Sequence, residues 1–183
     1  MNKKIGMGFF GELDLYLFGE GRHYRLYEKM GAHPFTYRRQ AGIHFAVWAP
    51  HAEEVSVVGD FNGWNPGKTP MKRISGSGIF EAFVPGLKEG ELYKYAISTK
   101  SSSLLMKADP FAFYSEYRPG TASVTADISG FSWSDSAWME KRRNQDPVKA
   151  PIAVYEVHLG SWRKTNRPER DNCLTYPEAA REL

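Results

Sequence analysis

Few side chains in this 183-residue sequence are spaced for chemistry. The histidines, His23, His33, His44, His51 and His158, stand singly, and Cys173 is the only cysteine. That excludes a Cys/His zinc pattern and an internal disulfide framework. Gly59 to Gly67 is glycine-rich, but it lacks the spacing and following helix of a phosphate cradle. No Gly-x-Ser-x-Gly elbow presents a serine nucleophile. One residue does invite a binding role. Trp64 lies in the polar turn cluster Asp60-Phe-Asn-Gly-Trp-Asn-Pro-Gly67. A flat indole there either stacks on the C–H face of a sugar ring while polar neighbours take the hydroxyls, or plugs a loop against Pro66 or a neighbouring domain.

The elements that must hold this turn are short strands. Gly42 to Trp48 alternates, with Ile43, Phe45 and Val47 on one face and His44, Ala46 and Trp48 on the other. Glu54 to Gly59 is a β-branched run that feeds the turn cluster. Gly78 to Val84 and Glu91 to Ser98 follow the same pattern, separated by Pro85-Gly86 and Glu89-Gly90. Shorter strands are expected at Leu104 to Lys107 and Thr121 to Thr125. Together these predict an all-β sandwich of roughly 85–100 residues.

Before the sandwich, residues 1–34 read as an arm in which Leu13, Leu15 and Leu17 alternate and Tyr24 to Met30 forms a short strand or helix. The sandwich is assigned to 35–130, and a short helix (Ser132 to Met139) and a charged, proline-bounded linker to 131–151. From 152 a new domain is expected. Ile152 to Leu159 has the pattern of a buried strand, Gly160-Ser-Trp162 turns the chain, and a helix begins at Tyr176. Alternation sets Val154, Glu156 and His158 against Tyr155, Val157 and Leu159, with His158 expected to be buried and hydrogen-bonded, the alternative being a place on an active-site floor.

Bulk properties narrow the partners. A net charge of +3, with both signs interspersed, gives no basis for nucleic acid binding. No apolar run approaches the ~20 residues that span a bilayer. The glycine-broken start after Lys3-Lys4 is too short and acidic for a signal peptide. These features, with the lone cysteine, lead to the expectation of a soluble cytoplasmic protein. Aromatics make up 14% of the chain, enough to supply a binding surface besides the core.

Three stretches carry a resemblance. Gly31-Ala-His-Pro-Phe35, Val57-Val-Gly-Asp-Phe-Asn-Gly-Trp64 and Tyr155-Glu-Val-His-Leu-Gly-Ser-Trp162 strongly resemble the N-terminal part of the bacterial 1,4-α-glucan (glycogen) branching enzymes. Lys107-Ala-Asp-Pro-Phe111 and Arg118-Pro-Gly-Thr-Ala-Ser123 resemble the same family. The resemblance implies an immunoglobulin-like, carbohydrate-binding β-sandwich, followed by the incomplete first βα unit of an α-amylase-type (β/α)8 barrel. Tyr155 and His158 would be barrel-start residues.

In that family the enzyme cuts an α-1,4-glucan and reattaches the segment to a 6-hydroxyl. The retaining chemistry uses an Asp nucleophile and a Glu acid/base, whose carboxyl groups must lie ~5–5.5 Å apart on later barrel strands. The resemblance therefore implies no catalytic residue, metal or cofactor in this chain, and no branching activity from it alone. It implies α-glucan (glycogen) and the remainder of the barrel as partners, with Trp64, Lys94 and Asn62 as glucan contacts. Lys94 matches a lysine that hydrogen-bonds glucan in related domains. Met106 stands near the place of their second tryptophan, leaving one aromatic wall instead of two. A stand-alone targeting module, or the corresponding part of a debranching or trehalose-releasing enzyme, is the alternative.

Overall fold

The computed structural model describes residues 4–5, 7–74, 76–101 and 103–183. The chain forms two compact units, the first reaching Phe131 and the second Ser132–Leu183.

In the first unit, β1 (Lys4–Ile5) pairs with β2 (Phe10–Gly11), and α1 (Glu12–Gly19) follows. Two antiparallel sheets come next. One has the order β3-β4-β7-β6, built from β3 (Gly31–Tyr37), β4 (Gln40–Trp48), β7 (Ile79–Pro85) and β6 (Lys72–Arg73). The other has the order β10-β11-β8-β5, built from β5 (Ala52–Gly59), β8 (Leu92–Thr99), β10 (Tyr114–Ser115) and β11 (Ser123–Val124). In this sheet β9 (Leu104–Lys107) also pairs with β8.

Alternation decides what lies between the sheets. Ile43, Phe45 and Val47 of β4 join Phe80 and Ala82 of β7, and meet Val55 and Val57 of β5 and Tyr93 and Tyr95 of β8 in one buried cluster. The inner face of β4 is thus the one its sequence predicts. Pro34 is tolerated in β3 because that strand is at the sheet's edge, where a missing N–H costs no ladder bond.

The other face of β4 is not solvated. His44 and Ala46 are fully buried, because the arm lies over them. Phe10, Met30, Ala46, Ile74 and Ile79 form a second cluster, packed by Phe9, Leu15, Phe18, Leu26 and Phe111. Phe9 stacks on the His44 ring with centroids 4.1 Å apart. His44 Nε2 lies 2.9 Å from Glu81 Oε2, and Glu81 Oε1 accepts the Met7 N–H at 2.9 Å. The alternating leucines of the arm turn out to lie on the helix α1, and Tyr24 to Met30 contains a single 3-10 turn, Leu26–Glu28.

In the second unit, α2 (Ser136–Asn144) starts and ends later than the expected 132–139 helix. Its last turn carries Lys141, Arg142 and Arg143 beside the exposed carbonyl end, which favours cations. The strand expected at 152–159 does not form. Residues 151–158 have no regular structure, and Ile152, Val154 and Tyr155 are exposed. A barrel strand takes its hydrogen bonds from neighbours on both edges, and no described residue supplies such a neighbour. The expected turn at 160–162 is instead helical, α3 (Leu159–Trp162). The final helix does form, as α4 (Tyr176–Glu182). Thr175 caps it reciprocally with Glu178: the Thr175 N–H donates to Glu178 Oε2 at 2.8 Å and Thr175 Oγ1 accepts from the Glu178 N–H at 3.4 Å. No helix among the described residues is long and apolar enough to cross a membrane.

Candidate functional site

The turn that carries Trp64 begins where β5 ends. Gly59 must be small: a Cβ there would run into the Leu92 carbonyl oxygen and the Phe61 ring. The chain then makes a 3-10 turn, Asp60–Asn62, and enters the left-handed region twice, at Gly63 (φ +67°) and Trp64 (φ +58°). For glycine this conformation is free, whereas for a bulky residue it costs roughly 1–2 kcal/mol. The surroundings must hold Trp64 there.

Asn62 does much of that holding. Its Nδ2 donates to the Val57 carbonyl at 3.0 Å and to Thr69 Oγ1 at 2.9 Å, and its Oδ1 accepts the Gly59 N–H at 3.1 Å. The side chain is buried, with both donors and its acceptor engaged inside the loop. Expected at the sequence level to touch sugar, Asn62 instead braces the turn beneath Trp64. The Trp64 N–H closes the turn onto the Gly59 carbonyl at 2.9 Å. The indole Nε1–H donates to Asp60 Oδ1 at 2.7 Å. Trp64 remains partly exposed.

Lys94 is positioned by register. Gly59 pairs with Tyr93 and Val58 with Lys94, so the start of β8 lies beside the end of β5 from which the Trp64 turn departs. Tyr93 and Tyr95 point into the core, and alternation puts Lys94 on the outer face. Its Nζ donates to Thr121 Oγ1 at 2.6 Å. Met106 pairs with Ala96 and shares that outer face; it is 41% exposed. Tyr114 reaches the same face across Val124 and Leu92 and is 63% exposed.

Beneath this face lies a buried polar knot. Asp109 Oδ2 accepts the hydroxyls of Tyr93 at 2.7 Å and Tyr95 at 3.0 Å, and Oδ1 accepts the Phe111 N–H at 2.8 Å. Its own N–H donates to Ser123 Oγ at 2.8 Å. Burial raises the Asp109 pKa against the opposing effect of these donors. Burial, and then the Asp109 charge, push both tyrosine pKa values upward.

The structure thus brings Trp64 and Lys94 to one end of the β5/β8 pair, and leaves Tyr155 and His158 in the second unit. His158 is exposed rather than buried, and its Nδ1 hydrogen-bonds Ser161 Oγ at 2.9 Å at the start of α3. Asp60, Thr121 and Asp109 carry the site without having been singled out in the sequence. Each lies within a stretch that carries the family resemblance, Val57 to Trp64, Arg118 to Ser123 and Lys107 to Phe111. A groove of about 510 Å³ walled by Phe9, Tyr27, His33 and Phe113 includes neither Trp64 nor Lys94. Among the described residues no group of three His, Cys, Asp or Glu is placed to hold a metal ion.

Residues 29–112 match the model of carbohydrate-binding module 48, the isoamylase N-terminal domain. The chain is 50% identical over 170 residues to the 1,4-alpha-glucan branching enzyme GlgB of Synechococcus sp. (strain JA-3-3Ab), covering 92% of this chain and 22% of that enzyme. It is 48% identical over 180 residues to the same enzyme of Butyrivibrio fibrisolvens, covering 98% and 28%. The chain spans about a quarter of the length of these relatives and corresponds to their N-terminal region. Ligand-free PulA from Klebsiella pneumoniae superposes on 54% of the chain and 9% of its own length, with 27% identity and a TM-score of 0.43.

Proposed function

We propose that this chain is the N-terminal portion of a 1,4-α-glucan branching enzyme, and that its sandwich is the surface on which the glucan is held. The parent would transfer an α-1,4-glucan segment to a 6-hydroxyl, in the cytoplasm, with its carboxylates on barrel strands beyond those described above. Residues 152–183, with Tyr155 and His158, would open that barrel. The observation that carries the glucan-binding reading is the Trp64 indole, held at a left-handed backbone position with its N–H edge occupied and part of the ring open. A partly exposed aromatic ring fixed by its neighbours suits a sugar platform, and backbone strain of this kind clusters at functional sites. Lys94, at the same end of the strand pair, supplies ammonium donors for hydroxyls.

Affinity electrophoresis through glycogen tests the proposal directly. The chain should be retarded, and Trp64→Ala should restore the mobility seen without glycogen. Equal retardation of the two proteins removes Trp64 as the platform. If neither is retarded, the sandwich serves to brace the rest of the enzyme.

A further inference from the structure

Trp64 and Lys94 each end on a neighbour whose role the glucan-binding reading leaves open. The indole has two side-chain torsions, and on an open surface both would fluctuate. The 2.7 Å hydrogen bond from Nε1 to Asp60 Oδ1 restrains them together. Its acceptor lies four residues earlier, in the same turn that Asn62 closes from inside. The lysine is the more flexible of the two, with four torsions and three equivalent donors. One donor is held by Thr121 Oγ1 at 2.6 Å, on the segment leading into β11. The platform and the cation are therefore both tethered by side chains of this chain itself.

We infer that Asp60 and Thr121 are positioning residues that pre-form the glucan face, Asp60 by fixing the Trp64 ring plane and Thr121 by fixing the Lys94 ammonium. This inference rests on the glucan-binding reading and adds a division of labour. With its N–H already donating to Asp60, Trp64 meets a sugar through the ring face alone. Hydroxyl recognition then falls to the two Lys94 donors that Thr121 leaves free. Such a site recognises the C–H faces of glucose units along a chain and has little dependence on any one hydroxyl. Restraint before binding also matters energetically, because each side chain that must be ordered on contact reduces affinity.

Titration calorimetry with maltoheptaose on the full chain tests this. Asp60→Ala and Thr121→Val should each weaken binding roughly three- to tenfold, the factor expected from ordering one side chain on contact. Asp60→Asn should restore most of the loss, since its amide oxygen still accepts from Nε1. Thermal midpoints should stay close to the parent value. A readout without mutation of the tether is the Trp64 indole proton, assigned by its disappearance in Trp64→Phe. It should exchange with water more slowly than a free indole before any sugar is added. Exchange at the free-indole rate overturns the inference, as does full affinity in Asp60→Ala while Trp64→Ala loses binding. Full affinity in Trp64→Ala overturns both this inference and the glucan-binding reading.

Discussion

Replacing Asp109 with alanine should destabilise the sandwich severely. Asp109 is 6% exposed and accepts three hydrogen bonds, from two tyrosine hydroxyls and one backbone N–H. Alanine leaves the Tyr93 hydroxyl without its acceptor, while Tyr95 keeps only the 3.3 Å contact to the Ala46 carbonyl. Hydrogen bonds to a charged group contribute about 1.5–3 kcal/mol each. Relief of the carboxylate's own burial offsets part of that sum, so the net loss should be about 3–5 kcal/mol. Asp109→Asn, which keeps one acceptor oxygen, should lose about 1–2 kcal/mol. Urea unfolding followed by intrinsic fluorescence measures both, and the midpoint should move with an unchanged slope. The pH dependence gives a second check. Because burial raises the folded-state pKa of Asp109, the folded chain holds a proton that the unfolded chain releases. Its stabilising contribution is present below the unfolded pKa of ~3.9 and fades as pH rises through the folded value, so the gap between the parent and Asp109→Asn should narrow upward from about pH 4. Loss of less than about 1 kcal/mol in Asp109→Ala at neutral pH would refute the view that this knot fixes β8 and, through it, Lys94.

Two further outcomes test the other parts of the unit. Burial holds the His33 and His44 pKa values below the ordinary range, against the Met30 carbonyl for the first and Glu81 for the second. The unfolded chain therefore takes up protons that the folded chain refuses, and the histidine contribution should be flat above about pH 7 and fall as pH drops below ~6.5, against the opposite slope from Asp109. Urea midpoints at pH 7.5 and 5.5 in the parent and in His44→Gln check this: the parent should lose more stability on acidification than the variant, and equal changes in the two contradict it. Met106→Trp should slow migration through glycogen further, tightening binding by roughly two- to tenfold if a second ring stacks on the glucan. Met106 is exposed on the Lys94 face, and an edge strand accepts a tryptophan readily. Unchanged migration means that the glucan does not pass over β9.

Local patterning made part of this fold legible. β4, β5, β7 and β8 follow from period-two alternation bounded by Gly, Pro and Asn, since in a sandwich one face of each strand is always buried. The reading falters where a second layer covers the outer face. In β4, His44 sits on the side that alternation alone assigns to solvent, and its complete burial depends on Phe9 and Phe10, more than 30 positions earlier. Helix α1 buries none of its residues fully: Leu15 and Phe18, three positions apart, pack against the second cluster while Leu13 is exposed, so the alternation of its leucines does not mark the packed face. Ile152 to Leu159 fails for the opposite reason: its apolar run specifies a strand only if neighbours supply the hydrogen bonds. At the site, Trp64 was legible because a tryptophan among Gly, Asn and Pro is out of place in a turn. Asp60 was not, because its contact exists only once Gly63 and Trp64 both turn left-handed.

The two outer faces of the sandwich differ in a way that bears on function. Above the β3-β4-β7-β6 sheet, the arm seals His44, Ala46 and Glu81, to the extent that a charged side chain is buried with a histidine partner. Such burial stabilises only if each polar atom is matched, and among the described residues His44 Nδ1 has no partner. That sheet is therefore held covered at some cost. On the other sheet, among the described residues, Leu104 and Met106 of β9 and Tyr114 of β10 are exposed. Apolar side chains on an uncovered sheet are unfavourable in water and invite association along the edge. One face is thus closed over His44 and Glu81, and the other carries the left-handed, tethered tryptophan. The α-glucan proposed above, with C–H faces for the indole and hydroxyls for Lys94, fits that chemistry, whereas an apolar protein surface would desolvate the Lys94 ammonium with only Thr121 Oγ1 to accept from it.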